Sequence, residues 1–150
     1  PATYRDPAGV LIDQLKTINI DAELEPVESG AWFAKVARKD YSVGLNLTGN
    51  GIDDPDQDFY ENFACESQRN YTHYCNKELE DLFDKQSAET DPQKRKQLVW
   101  EIDKKIQDDV ARPVLYHART GMCMKPEVKN LTVLNGAYNG YRYEDVWLDR

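Results

Sequence analysis

Between Asp6 and Leu47 the apolar residues change period twice, and this limits the choice of fold more than any other feature of the chain. Asp6 and Pro7 read as a helix N-cap and first helical residue, after which Leu11, Ile12, Leu15 and Ile18 fall on one helical face. From Ile20 to Val27 the pattern becomes alternation, with Ile20, Ala22 and Leu24 set against Asp21, Glu23 and Glu25, and Pro26 suits the end of an edge strand. Ser29 reads as the cap of a second helix with Trp32, Phe33 and Val36 facing inward, and Tyr41 to Leu47 reads as a second strand. Two strands joined by one helix and short turns predict a right-handed βαβ unit, so the expected fold class is α/β.

The stretch GNGIDDPDQD, Gly49 to Asp58, then begins where that second strand should end. Open α/β sheets bind ligands at the carboxyl edge of their strands, so the loop is a candidate ligand border. A calcium loop fails on spacing: with Asp54, Asp56 and Asp58 as the first ligands, the turn position that needs glycine is Phe59 and the closing acid is Cys65. Asn46, Thr48, Asn50 and Asp53 can line a polar cleft, or can serve as the Asn, Asp and hydroxyl chemistry that turns demand. Asp54 and Asp56 also suit the entry of a helix carrying Phe59, Tyr60 and Phe63.

Further along, Asn76 is placed to cap a helix bearing Leu79, Leu82 and Phe83, and Asp91 with Pro92 starts a longer one. The latter carries an apolar stripe of Leu98, Val99, Ile102, Ile106 and Val110, with Lys94, Arg95, Lys96, Lys104, Lys105, Asp108 and Asp109 outside it as a solvated face of interleaved charges. Pro113 should stop it and open a strand, Val114 to His117, followed by a short strand at Met122 to Met124. At 150 residues the chain can bury about 70% of its unfolded surface without a staple. A net charge of -8 excludes a phosphate-binding nucleic-acid surface, and no run of eighteen apolar residues offers a membrane span. The chain opens on Pro1 without a Met or a charged-then-apolar leader, and reads as a piece of something longer.

Three cysteines leave one unpaired. The favoured pair is Cys65 with Cys75, closing a short polar loop and implying an exported chain. Cys123, between Met122 and Met124, reads as a buried small side chain. Tyr71 and Tyr74 flank the expected bridge and suit packing over it or stacking on a ligand at a cleft edge. At the end of the late strand Arg119 could meet a ligand carboxylate in bidentate fashion, or pair with His117 on the surface. A hydrolase using Cys75 as nucleophile and His73 as base lacks a third, orienting group, and a zinc site from Cys65, His73, Cys75 and His117 lacks the usual spacings.

Taken in order, GVLIDQLKTINIDAELEPVESGAWFAKVARKDYSVGLN, NYTHYC, ETDPQKRKQLVWEID and ARPVLYH resemble the C-terminal portion of the extracytoplasmic solute-binding proteins of family 5, the oligopeptide, dipeptide and nickel type receptors of ABC importers. The resemblance runs from about Asp6 to Trp147. It implies a periplasmic-binding-protein-like lobe, a βαβ unit with a mixed sheet flanked by helices, over residues 1–126, and a returning segment over 127–150. It also implies a periplasmic, or exported and lipid-anchored, chain that is no enzyme and needs no cofactor or metal. Its partners are then a peptide or small polar solute and a membrane permease, and it meets the membrane only through the transporter. Peptide-binding members place an aromatic just past the second strand and an aspartate three residues on. Those positions are Thr48 and Gly51 here, so a carboxylate must come from Asp53 or Asp54, and a sugar or other polar solute suits the turn equally. The expected ligand-binding set is Asn46, Thr48, Asn50, Asp53, Asp54, Tyr71 and Arg119.

Overall fold

The computed structural model describes residues 2–117, 121–133 and 142–149. It divides into two compact units, Pro1–Thr48 and Gly49–Arg150. The first holds α1 (Ala2–Lys16) and α2 (Ser29–Ala37). The second holds α3 (Pro55–Asn62), α4 (Lys77–Ala88) and α5 (Pro92–Asp108), with β1 (Val128–Lys129) paired antiparallel to β2 (Trp147–Leu148).

This architecture corrects the α/β expectation. Among the described residues the molecule is mostly helical, with a single two-stranded antiparallel sheet in place of a mixed sheet flanked by helices. Residues 20–27 and 41–47 are irregular, and so are 114–117 and 122–124. Alternation describes a surface that becomes a strand only when a neighbouring strand takes its backbone bonds and a second layer covers its apolar face. Neither condition is met at residues 20–27 or 41–47, where Ile20, Leu24, Val43 and Leu47 are all exposed, Val43 at 72%. The 20–28 segment is held to α2 instead by a Lys35–Glu25 ion pair of 2.5 Å.

Several local expectations shift as well. Helix α1 starts upstream of Asp6, and Pro7 falls inside it at the loss of one backbone donor. Ser29 is the first residue of α2, whose cap is Glu28: the Glu28 carbonyl accepts from Ala31 and Trp32 at 2.9 Å each, and its side chain takes no part. Val36 is buried on α2, whereas Phe33 is exposed beside Trp32, the two rings meeting edge-on at 4.9 Å. Val110 lies past the end of α5 and is exposed. Cys123 is exposed because Met122 and Met124 are themselves exposed, so no core forms around it.

The core of the second unit follows the helical stripes closely. Phe59, Leu79, Phe83, Ile102, Ile106 and Ala111 are buried together, with Phe63, Tyr74, Leu82 and Val99 against them. Phe83 is 0% exposed and stacks on Phe59 at 5.2 Å between ring centres, with Tyr60 edge-on at 5.8 Å. Burying Phe83, Leu79 and Ile102 contributes about 1.5–3 kcal/mol each. Asn76 and Asp91 cap α4 and α5 as their sequence positions predict: the Asn76 side chain accepts from the Leu79 amide, and Asp91 from those of Gln93 and Lys94.

Candidate functional site

The aspartate-rich turn resolves into a polar joint between three helices of the second unit. Two of its amides, Gly51 and Ile52, donate to the Gln57 side chain at 2.8 and 3.1 Å. Asp54 is the N-cap of α3, accepting from the Asp56 amide at 2.9 Å, with Pro55 opening the helix. The same carboxylate receives both terminal nitrogens of Arg95, at 3.0 and 2.8 Å, in the forked geometry that suits a guanidinium. Arg95 thereby holds the Asp54 carboxyl below the usual aspartate range, partly offset by burial and assisted by the Asp56 amide.

Asp56 completes the joint from the other side. It accepts from Ser87 Oγ at 2.6 Å and from Gln86 Nε2, and lies 3.5 Å from Arg95. Gln86 is 0% exposed and fully used: its amide nitrogen also reaches the Phe83 carbonyl at 3.1 Å, and its oxygen accepts from Arg95 Nε at 3.2 Å. Arg95 and Gln86 are residues that the sequence reading missed. Arg95 is expected among the charges outside the apolar stripe, yet it stands three and four residues before Leu98 and Val99, which puts it on the stripe's own side of α5.

A second polar cluster surrounds the bridge between Cys65 and Cys75, which pair as expected with Cα atoms 4.6 Å apart. Buried Asn70 spans the loop, donating to the carbonyls of Ala64 at 3.0 Å and Tyr74 at 2.6 Å. Glu80 accepts from the Cys65 amide at 2.7 Å, and Lys77, followed by that bond, draws its carboxyl below the usual range. Arg112 lies over the Phe63 ring at 5.5 Å and donates to Asn62 at 2.9 Å. Tyr74 is half-buried, and its hydroxyl meets Asp109 at 2.5 Å. Burial, then that carboxylate, pushes the Tyr74 phenol up to about 12.

The expected ligand residues are therefore dispersed in role. Asn46 and Thr48 are exposed at the end of the first unit. In the second unit Asn50 is half-buried, Asp53 is exposed, and Asp54 is committed to its cap and to Arg95. Tyr71 is half-buried within the disulfide loop, and Arg119 lies outside the described residues. His73 is exposed in a left-handed conformation (φ 59°), next to a Cys75 sulfur that is bonded and has no thiolate to offer. Among the described residues no three His, Cys, Asp or Glu side chains gather to hold a metal, and no helix is long and apolar enough to cross a membrane.

One hollow of about 190 Å³ lies near the sheet, lined by Asn130, Thr132, Arg142, Glu144, Asp145 and Val146. It is smaller than pockets that enclose drug-sized ligands, and Arg142 is already paired with Glu144 at 2.7 Å. None of the expected ligand residues lines it. The chain matches no family model, no curated protein and no solved structure. The disulfide fits an oxidising compartment outside the cytosol.

Proposed function

We propose that the chain is part of the solute-binding component of an ABC importer of the family 5 type. In this reading it captures a peptide or other small polar solute without transforming it, in the periplasm or anchored outside the cell, for delivery to a permease. The observation that supports it is convergence. NYTHYC ends in the disulfide, and ETDPQKRKQLVWEID supplies the cap of α5, the joint residue Arg95 and the buried Ile102. ARPVLYH begins with buried Ala111 and with Arg112, which donates to the Arg69 carbonyl of the disulfide loop at 3.5 Å. Three of the four segments that carry the resemblance thus build the core, the joint and the bridge of the second unit, while the longest, Gly9 to Asn46, lies in the first. A thiol or zinc hydrolase built on Cys75 and His73 is the less favoured reading, since the bridge occupies the sulfur it needs.

The solute must meet residues other than the committed carboxylate of Asp54. Asn50 and Asp53 remain the groups of the turn closest in sequence to that role, and Asn46 and Thr48 those of the preceding segment. The test is a thermal-shift screen of the intact receptor against peptides, sugars, opines and metal chelates. A true ligand at a hundred times its Kd stabilises the protein by about 2.7 kcal/mol. Failure of every class to move the melting temperature would count decisively against capture.

A further inference from the structure

Helix α5 carries a tryptophan that the fold does not use. Its inner face is Leu98, Val99, Ile102 and Ile106, half-buried or buried. Trp100 lies on the opposite side and is 61% exposed. Lys96 stands one turn before it, with its ammonium 4.8 Å from the ring centre, and Lys104 one turn after. Gln93, Gln97 and Gln107 continue the same line. In a chain with 27 acidic against 19 basic residues, this outermost ridge sets two lysines against one carboxylate, Asp103, which accepts from Gln107 at 2.7 Å.

We infer that the Lys96–Trp100–Lys104 ridge is a docking surface for a carboxylate-bearing segment of a folded partner protein, with the indole as its apolar anchor. An exposed tryptophan gives the helix neither propensity nor packing, whereas tryptophan is prominent among the residues that dominate protein interfaces. The flanking ammonium groups select acidic chemistry in the partner, and the amides supply neutral donors along the rim. Net charge decides against two other occupants. A chain of -8 repels a second copy of itself. It also repels an anionic bilayer, and two lysines at about 1 kcal/mol each do little to overcome that. Resting on the receptor reading above, the partner is the importer's membrane subunit.

The experiment measures binding of the full receptor to nanodiscs carrying the membrane subunits of the importer encoded beside it, with empty discs of the same anionic lipid as control. Trp100→Ala and Lys96→Glu/Lys104→Glu should each weaken binding about tenfold or more. The charge-reversed variant should also lose the parent's salt dependence. Both should keep the parent's melting temperature and solute-induced shift, because these side chains lie outside the core. Equal binding by parent and variants overturns the inference, as does equal binding to empty discs or concentration-dependent dimers in sedimentation. A receptor that responds to solute but ignores loaded discs also overturns it while sparing the capture reading; one that responds to neither sinks both.

Discussion

Asp54 releases its proton more readily than an ordinary aspartate because two nitrogens of Arg95 already face its oxygens. A carboxyl with a lowered folded pKa binds fewer protons folded than unfolded. Its stabilisation is therefore present above the ordinary aspartate value of 3.8 and disappears as pH falls through the lower, folded value. Acid titration of urea stability should show this loss beginning near pH 4 in the parent, and Asp54→Asn, which keeps the cap but not the charge, should flatten it. Arg95→Ala should cost roughly 1–2 kcal/mol at neutral pH, an allowance for the solvent that still reaches both partners. Tyr60 and Tyr74 show the reverse sign. Burial first, then the carboxylates of Asp84 and Asp109, push both phenols up to about 12, so their stabilisation holds below pH 10 and is lost between 10 and 12. Tyrosinate absorbance should therefore show a late change from two tyrosines near 12, and Tyr60→Phe and Tyr74→Phe should each remove about half of it.

At the scale of elements, three helices end in one way that their sequences only partly show. After α1, α2 and α5 the residues Asn19, Lys39 and Val110 adopt left-handed backbone, with φ of 62°, 60° and 51°. In each case the next amide reaches back to the carbonyl five residues earlier, Ile20 to Leu15 at 3.0 Å, Asp40 to Lys35 at 3.1 Å and Ala111 to Ile106 at 3.2 Å. Asn19 is an accepted stand-in for the glycine that announces such an end, but Lys39 and Val110 are not, so those two stop signals were illegible. Val110 is the most strained, being β-branched and exposed. Val110→Gly should raise stability by about 1 kcal/mol in denaturant melts, the relief of strain exceeding the added freedom of the unfolded chain. The N-terminal signals were legible at Asp54, Asn76 and Asp91 because a side-chain cap is a local bond. The strands at 20–27 and 41–47 were misread because strand formation depends on distant backbone that no local pattern supplies.

Across the whole molecule, order concentrates where sequence periodicity, caps and cysteine spacing agree. That region is the second unit, where α3, α4 and α5 enclose the aromatic core and the bridge closes the loop beside it. Replacing Cys65 and Cys75 by serine should cost about 3 kcal/mol on the loop-entropy account. The loss should appear as an earlier urea midpoint, with Asn70 and Arg112 still holding the loop in the folded state. The candidate site was less legible than the core, because a turn rich in aspartate reads alike whether its carboxylates face a ligand or a helix. Only the position of Arg95, 41 residues on, distinguishes them.

Gln86 carries a consequence for how this sequence can vary. Its single amide serves Asp56, Arg95 and the Phe83 carbonyl at once in a site with no access to water. A glutamate there would set a second negative charge against Asp56, and a methionine would strand three polar neighbours. Positions 54, 56, 86 and 95 lean on one another, so that replacing any one of them leaves another short of a partner. Any lineage descending from this chain should either keep all four or exchange them together.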